Sequence, residues 1–406
     1  MMKSMPVVVL FLLFVSAALY AGAPPRVFLL DAESLVATRE RLDDGEPSLQ
    51  KAREQIIAQA EEAMSIEALS VVDDPIVPPS GDKHDYMSVG PYWWPDPNKS
   101  DGLPYIRRDG EVNPEYDDYD GPKIRKLTDA VRTLSLAYFF TGREPYAEHA
   151  AMLLRVWFLD EATQMNPHLE YGQAIPGRCT GRGIGIIETR RMAELVDSVG
   201  LLASSPAWSD EDQQGFKVWI DEYLTWILTS KYGVDESKTR NNHATWYDVQ
   251  AVAMAMFVER HDVARRILDE AGARRMATQI ESDGRQPHET ARTKGFSYSV
   301  MNLSGFFDLA TLGVHYDLDL WRFETEAGGG EGDVRAALDY LLPYALGEKE
   351  WTYQQISGVH GESLIPLLRR ASIVYEEPDY LGAASQLEEE GDAPNLVVEL
   401  LYSEAE

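Results

Sequence analysis

The sequence contains very little cysteine and comparatively few basic residues. Cys179 is the only cysteine among 406 residues, which excludes an intrachain disulfide framework and any metal site built from several cysteines. Lysine and arginine number 37 against 67 aspartate and glutamate residues, so the formal net charge is −30. A long-range field of this sign repels nucleic acid and anionic membrane surfaces. The composition therefore argues against either as the main partner.

Long hydrophobic runs are also missing, with one exception at the amino terminus. Lys3 precedes an apolar stretch over residues 7–19, and small residues such as Ala21 follow. A short charged start, an apolar stretch of this length and a small-residue cleavage site are typical of a secretory signal. A membrane-spanning helix needs about 20 apolar residues. We therefore expect residues 1–21 to be a signal peptide, and the mature chain to be secreted or periplasmic with no membrane contact.

No segment shows the clear alternation of apolar and polar residues that marks a half-buried strand, and no repeat is visible at the residue level. Apolar residues instead recur at helical spacing. The segments are 124–138, 146–159, 209–230, 244–260, 263–271, 300–312, 334–346 and 362–375. This pattern predicts an all-α stack of helix hairpins. The acidic stretch over residues 383–406 is expected to be a solvated tail with at most one helix.

One segment contains too much proline for regular helix. Residues 71–123 hold nine of the 22 prolines. Because a long irregular stretch inside a compact domain usually serves a function, we expect an active-site loop here. It carries Tyr92, Trp93 and Trp94 in succession, and three consecutive rings cannot all be buried on one face. A tryptophan face suits the apolar side of a sugar ring, so these residues are candidates for sugar binding, with core packing as the alternative.

The segment around residue 242 combines a helix start with groups that suit an anion. Asn241, Asn242 and His243 precede an apolar run, and asparagine is favoured at helix N-termini. The free N–H groups and the positive end of the helix dipole attract anions there. Asn242 and His243 at such an end would form a carboxylate pocket. Helix capping alone is the alternative.

A second segment gathers positive charge in this acidic protein. Arg285, His288, Arg292 and Lys294 lie within ten positions, and Tyr298 follows them. They predict a cationic site for a negatively charged substrate, with a solvated charged loop as the alternative. Tyrosine has an ordinary pKa near 10, and adjacent cations favour its phenolate. Tyr298 beside Arg292 is therefore a candidate proton-transfer group.

Two further observations concern ligands. A glycine-rich segment at 175–183 contains Arg182 and is a candidate subsite for an anionic ligand, although its spacing matches no phosphate-binding loop. The eight histidines include no close pair of the His-x-x-x-His type. We therefore expect neither a metal nor a cofactor.

Together, these motifs resemble the alginate lyase superfamily of polysaccharide lyases. The likeness is carried by four segments, which are 84–97, 104–114, 241–248 and 286–298. It is closest to the branch whose members cleave alginate or glucuronan. The resemblance implies a single large domain over residues 22–382, built as an (α/α) toroid, which is an incomplete barrel of helix hairpins. It also implies a cleft or tunnel as the active site and a metal-independent β-elimination.

The resemblance implies roles for individual residues as well. The groups that neutralise the substrate carboxylate fall on Asn242, His243 and Arg292. The proton-transferring tyrosine falls on Tyr298, and Asn241 is the alternative if the asparagine register differs by one. The expected substrate-binding residues are Tyr92, Trp93, Trp94, Arg182, Arg285, His288 and Glu289.

The chemistry of such a reaction limits the substrate. Removal of the C5 proton of a uronate builds charge on its carboxylate, and preorganised donors stabilise that charge. In β-mannuronate and β-glucuronate the C5 hydrogen and the C4 oxygen lie on the same side, so one tyrosine can serve both. In α-guluronate they lie on opposite sides, and a second residue such as His243 must share the work. We expect an exported lyase that acts on a 1,4-linked polyuronate, either mannuronate-rich alginate or glucuronan.

Two other functions stay open at this point. A glycoside hydrolase on a related α/α toroid needs two carboxylates that flank the scissile bond, and only Asp248 and Glu289 lie near the motifs. The other alternative is a non-catalytic protein that binds uronate polysaccharides through Trp93 and Trp94.

Overall fold

The protein is mostly helical in its described residues. The structure is a computed structural model that describes residues 24–73, 75–325, 330, 332–390 and 395–402. The predicted signal peptide at residues 1–21 lies outside these ranges. In chain order the α-helices are α1 (Ala32–Asp43), α2 (Pro47–Ala63), α3 (Asp120–Thr141), α4 (Glu144–Phe158), α5 (Met192–Leu202), α6 (Asp210–Thr229), α7 (Lys231–Ser237), α8 (Asn242–Phe257), α9 (His261–Ala271), α10 (Ala277–Gln279), α11 (Pro287–Thr290), α12 (Gly295–Val314), α13 (Val334–Ala345), α14 (Ile365–Tyr375), α15 (Pro378–Glu390) and α16 (Val397–Leu401).

Short strands occur only beside the proline-rich segment in the part of the chain that is described. They are β1 (Met87–Val89), β2 (Trp93–Trp94), β3 (Ile106–Arg107) and β4 (Tyr171–Ala174). β1 pairs with β4 in parallel, and β2 pairs with β3 in antiparallel fashion, with Trp93 opposite Arg107. The β1–β4 ladder joins the proline-rich segment to residues 171–174, and the β2–β3 ladder lies within that segment.

The helices are arranged in two layers. The inner layer is a series in which α3 packs on α5, α5 on α8, and α8 on α12. Outer helices cover it, since α2 and α4 pack on α3, α6 and α9 on α8, and α13 on α12. This alternation of inner and outer helices along the chain is that of an (α/α) toroid. The predicted all-α fold is confirmed.

The composition of α8 explains its place in the inner layer. Residues 244–257 are all buried, and a helix that is apolar all round must be covered on every side. Asp248 is the charged residue of this range, and Arg275 neutralises it with two hydrogen bonds of 2.7 and 3.0 Å. The outer helix α9 buries one face only. That face consists of Val263, Ala264, Ile267, Leu268 and Ala271.

The inner helices α8 and α12 run parallel. Near the start of α8, Trp246 Nε1 donates to the carbonyl of Met301 in the first half of α12, at 3.1 Å. At the opposite end, Arg26 donates to the last carbonyl groups of α8, and the His315 ring just after α12 lies 2.9 Å from the carbonyl of Phe28. The positive dipole ends of both helices therefore point to the same end of the toroid.

All eight predicted helical segments are helical in the structure. The capping box that the sequence predicts at Ser209 is also present. Ser209 Oγ accepts the N–H of Asp212 at 3.2 Å, and the Asp212 carboxylate accepts the N–H of Ser209 at 2.9 Å. This reciprocal pair is the capping box at the start of α6. The spacing of apolar residues in the sequence thus correctly locates the eight helical segments that it predicts.

The expectation of a solvated tail from residue 383 is wrong for the described residues. α15 crosses that boundary, and α16 packs against α1 and α2. Glu388 and Glu399 both bind Arg369, at 2.9 and 3.2 Å, so part of the acidity serves a buried ion pair. The buried residues of this stretch are Ala383, Ala384, Leu387, Val397, Val398, Leu400 and Leu401.

Within residues 24–402, as far as they are described, none of the helices has the length and hydrophobicity that crossing a bilayer requires.

Candidate active site

Asn242 is the first residue of α8 and is held by a buried glutamate. Its backbone N–H donates to Glu289 Oε1 at 2.6 Å, and its Nδ2 donates to Oε2 at 2.8 Å. Glu289 thus caps the helix in place of Asn241, whose side chain makes no capping hydrogen bond. Asn242 Oδ1 is buried and has no partner among the described residues. The two hydrogen bonds to Glu289 fix the orientation of the Asn242 amide.

The expectation that Glu289 touches the substrate is corrected by its burial. Its side chain is fully buried, and both carboxylate oxygens serve Asn242. Burial raises the pKa of Glu289, and the donors of Asn242 and the charges of Arg292 and His243 act against that rise. Glu289 therefore lies behind the carboxylate pocket and not on its surface.

His243 is held in a similar way by a second buried glutamate. Its Nδ1 lies 2.7 Å from Oε1 of Glu236, which is 1% exposed and belongs to α7. A carboxylate accepts the Nδ1–H, so this contact selects the ring orientation in which Nε2 faces away from Glu236. Two neighbouring side chains of the predicted pocket are thus each oriented by their own carboxylate.

Arg292 lies between α11 and α12 and is bound by the proline-rich loop. Its Nε and Nη2 donate to the two oxygens of Asp109 at 3.0 and 2.8 Å, and Thr293 Oγ1 donates to the same carboxylate at 3.1 Å. Burial alone would raise the pKa of Asp109, but the hydrogen bonds and charge of Arg292 outweigh it and hold the pKa well below its usual range. The pair joins the loop to the helix start.

Tyr298 lies in the first turn of α12, where the two predicted motifs meet the loop. The Arg292 guanidinium carbon is 4.0 Å from the centroid of its ring, and the Tyr92 hydroxyl is 2.6 Å from its hydroxyl. The predicted proximity of Tyr298 and Arg292 is confirmed. The charge of Arg292 favours the phenolate as expected, but burial raises the pKa of Tyr298, Tyr92 adds to the rise, and together they outweigh Arg292.

The two tryptophans of the loop carry arginine side chains over their rings. Arg178 and Arg182 lie 4.9 and 5.9 Å from the centroid of Trp93, and Arg108 lies 4.8 Å from that of Trp94. Both tryptophans are half-buried, and they help to orient a group of positive charges. Their predicted contact with a sugar ring stays a prediction.

Two residues of the predicted cationic segment, Arg285 and His288, have no described contact with Arg292 or Tyr298. Arg285 Nε donates to Glu281 at 2.9 Å, and its Nη1 donates to the Tyr353 hydroxyl at 3.4 Å. The His288 side chain is exposed. Neither has a described contact with Tyr298, so their predicted role in substrate binding gains no support from the geometry.

The geometry also disfavours the glycoside hydrolase alternative. Asp248 and Glu289 have no exposed surface, and each is occupied by hydrogen bonds to a neighbour, Arg275 and Asn242 respectively. A hydrolase needs two carboxylates that reach the sugar from either side of the bond. These two cannot do so.

Two residues that orient the candidate site escaped the sequence analysis. Glu236 and Asp109 orient His243 and Arg292, but they lie 7 and 183 residues away along the chain. For Glu236 the sequence offers a local signal, because this residue lies at the end of a short helix just before Asn241 and Asn242. Nothing in a single sequence links Asp109 to Arg292.

The described residues do not bring three or more His, Cys, Asp or Glu side chains together in a way that could hold a metal ion.

Comparison with known proteins places these observations in a family. Residues 70–351 match the alginate lyase family. An alginate lyase from Bacteroides ovatus is 38% identical, with 94% of this chain and 100% of that chain covered and a TM-score of 0.88. Alginate lyase A1-III from Sphingomonas species A1 has 16% identity, coverages of 94% and 98%, and a TM-score of 0.58. A histidine-to-alanine variant of A1-III complexed with tetrasaccharide has 16% identity, coverages of 95% and 98%, and a TM-score of 0.59. Among the curated proteins, none matches by sequence.

The toroid and the match to an alginate lyase of 38% identity identify a polysaccharide lyase. The chain belongs to the alginate lyase family, as the family match over most of its length and the 38% identity to the Bacteroides ovatus enzyme show.

Proposed function

We propose that this enzyme cleaves alginate by β-elimination at the 1,4 linkage and leaves a 4,5-unsaturated uronate. The observation that carries the proposal is that the Arg292 guanidinium lies over the Tyr298 ring, while Glu289 and Glu236 hold Asn242 and His243 at the start of α8. The relative from Bacteroides ovatus is an alginate lyase, which supports the same polymer class here.

Carboxylate neutralisation is the first part of the proposed mechanism. The C5 hydrogen is acidic only when the charge that develops on the adjacent carboxylate is stabilised. Asn242, His243 and Arg292 supply an amide, an imidazole and a guanidinium for this purpose, at the positive ends of two helix dipoles. One such donor contributes about 3 kcal/mol to transition-state stabilisation.

Proton transfer by Tyr298 is the second part. The phenol must first release its own proton, and the charge of Arg292, whose guanidinium carbon lies 4.0 Å from the ring centroid, stabilises the resulting phenolate. The phenolate takes the C5 proton, the electrons of that bond form the C4–C5 double bond, and the bond from C4 to the glycosidic oxygen breaks. Tyr298 then returns the proton to the leaving oxygen, which restores the phenolate.

The stereochemistry of this single-residue transfer favours particular sugars. β-Mannuronate and β-glucuronate present the C5 hydrogen and the C4 oxygen on the same side, within reach of one hydroxyl. α-Guluronate presents them on opposite sides and requires His243 to take part. Because Glu236 occupies Nδ1 of His243, only Nε2 is left for such a role. Mannuronate-rich alginate is therefore the proposed substrate, with glucuronan as the second.

We also propose that the enzyme acts outside the cytoplasm. The charged start, apolar stretch and small-residue cleavage site at residues 1–21 support export. The mass of the mature amino-terminal peptide, measured after expression in a host with a secretory pathway, tests this. A secreted chain that begins near residue 22 is expected, and an intact Met1 would contradict the proposal.

The polymer is tested by incubation with polymannuronate, polyguluronate, glucuronan and hyaluronan. The near-ultraviolet absorbance of the unsaturated uronate reports elimination. Polymannuronate or glucuronan should give the fastest rise and hyaluronan none. New reducing ends without absorbance would indicate a hydrolase, and binding of the polymer without either product would indicate a non-catalytic protein.

A further inference from the structure

Two arginines beside the reaction site have no carboxylate partner. Arg178 and Arg182 lie over the ring of Trp93, and neither has a described carboxylate oxygen within 4.0 Å. Their described side-chain hydrogen bonds go to neutral acceptors, since Arg178 Nε donates to the carbonyl of Tyr105 at 3.1 Å and the Arg182 guanidinium donates to Gln173. In a chain with a net charge of −30, two adjacent cations without a contacting anion require an explanation.

Burial makes Arg182 the more informative of the two. Burial lowers the pKa of Arg182, whose Nε and Nη2 donate to the carbonyl and the side-chain Oε1 of Gln173, at 3.0 and 2.7 Å. Nη1 has no described acceptor. By contrast, the buried Arg275 and the largely buried Arg370 each contact a carboxylate, whereas Arg190 resembles Arg182 in donating to a carbonyl, that of Ile187. A desolvated guanidinium without a paired anion is costly, and an anionic ligand removes that cost.

The backbone that supports Arg182 is strained. Gln173 is buried and has a φ of +48°, a conformation that side chains other than glycine rarely adopt. Its N–H donates to Ser88 Oγ at 2.7 Å, and Ser88 in turn donates to the half-buried Glu188 at 2.5 Å. Strained residues of this kind persist where the surroundings force them, and they cluster at ligand sites. In this conformation the backbone carbonyl and the side-chain Oε1 of Gln173 both accept hydrogen bonds from Arg182.

The arginine pair adjoins the reaction site on two sides. Trp93 directly follows Tyr92, whose hydroxyl contacts Tyr298. Gly183 directly follows Arg182 and packs so closely on α7 that a Cβ added there would lie 3.2 Å from the backbone nitrogen of Glu236. The pair is therefore joined through neighbouring residues to Tyr298 on one side and to the helix of Glu236 on the other.

We propose that Arg178 and Arg182 form a second carboxylate site, which binds the uronate adjacent to the sugar that loses its C5 proton. This inference rests on the proposed elimination and extends it to substrate selection. A polymer with a carboxylate on every sugar fills both sites at once. A polymer in which uronates alternate with uncharged sugars leaves Arg182 without an anion, and is disfavoured.

Steady-state kinetics on polymannuronate test the site through Arg182→Ala and Arg178→Ala, with Arg266→Ala as control. Arg266 is exposed on α9, so its loss changes the net charge equally at a remote position. Losing a charge-assisted contact to the substrate should raise KM about tenfold to hundredfold in Arg182→Ala, with less effect in Arg178→Ala. kcat should change much less than KM, because neither arginine touches the reacting atoms. The control should keep the KM of the unmodified enzyme.

Direct binding distinguishes a substrate site from a structural role. In the Tyr298→Phe background, the Kd of a saturated mannuronate tetramer should rise in both arginine variants. The Kd of the same tetramer with its carboxyl groups reduced to alcohols should not change. Equal changes for both tetramers would overturn the inference. Because Arg178 is exposed, its variant keeps the test valid even if Arg182→Ala does not fold.

The two proposals fail in different ways. If the unmodified enzyme forms no unsaturated product from any polyuronate, the proposed elimination is wrong. If it degrades polymannuronate while both arginine variants match the KM of Arg266→Ala within about twofold, the elimination stands and the second carboxylate site is wrong.

Discussion

Replacing Glu289 by alanine is the most informative change to the carboxylate pocket, because Glu289 does not itself reach the substrate. It accepts two hydrogen bonds from Asn242, at 2.6 and 2.8 Å, and makes no described side-chain hydrogen bond to any other residue. Its removal leaves the first N–H of α8 and the Asn242 amide without their acceptor in a buried place. The Asn242 side chain is then free to turn.

The size of the effect follows from these contacts. A hydrogen bond to a charged group contributes about 1.5–3 kcal/mol, so losing two should lower the free energy of unfolding by roughly 3–6 kcal/mol at most. If Asn242 neutralises the substrate carboxylate, its misorientation should lower kcat/KM about a hundredfold. Glu289→Gln keeps one acceptor for the backbone N–H but loses the charge, and its kcat/KM should fall about tenfold.

The assay combines two measurements on each variant. Urea unfolding gives the free energy of unfolding, and the near-ultraviolet absorbance of the product gives kcat/KM on polymannuronate. Glu281→Ala is the matched control, since Glu281 lies eight positions before Glu289 and pairs with Arg285 away from Tyr298. It should keep the kcat/KM of the unmodified enzyme.

One outcome would refute the reasoning. If Glu289→Ala loses stability but keeps kcat/KM within about threefold of the control, Glu289 serves folding alone and Asn242 is not oriented for catalysis by it.

Three further predictions concern charge and protonation. Glu236→Gln keeps an acceptor for His243 but loses the charge, so kcat/KM should fall about tenfold, and an unchanged value would exclude a role for the charge. Burial raises the pKa of Asp197 to about 7, against about 3.9 unfolded, so its contribution to the free energy of unfolding should be full below pH 4 and be lost as the pH rises to 7. Urea unfolding across that range should show less pH dependence in Asp197→Asn, and an equal dependence would contradict this. Because the pKa of Tyr298 is raised, kcat/KM should climb steadily from pH 7 to 9 as phenolate forms, whereas a plateau from neutral pH would point to another base.

The sequence predicted the features that depend on neighbours in the chain. The apolar run at 244–257 requires a covered helix, and Ser209 with Asp212 marks where another begins. The asparagine and histidine at one helix start and the arginine and tyrosine at another are each local motifs. The resemblance to a known family implied the toroid, and the structure adds that the two helices run parallel within it.

The contacts and protonation states that the sequence could not predict depend on residues far apart in the chain. Asp109 meets Arg292 across 183 residues, and the protonation state of Tyr298 depends on how deeply the loop buries it. The acidic C-terminal stretch looked solvated because its charges dominate its composition. Its few apolar residues suffice to pack α16 on α1 and α2, and Arg369 accommodates two of its glutamates.

The central claim is that the Tyr298 hydroxyl moves the proton, and Tyr298→Phe tests it most directly. Phenylalanine keeps the ring beneath Arg292 and removes only the oxygen. Formation of unsaturated product from polymannuronate should fall by about a hundredfold to ten-thousandfold, as expected for loss of a general acid and base. Tyr92→Phe, which removes the hydroxyl 2.6 Å away, should cost far less. Product formation by Tyr298→Phe at the rate of the unmodified enzyme would contradict the account.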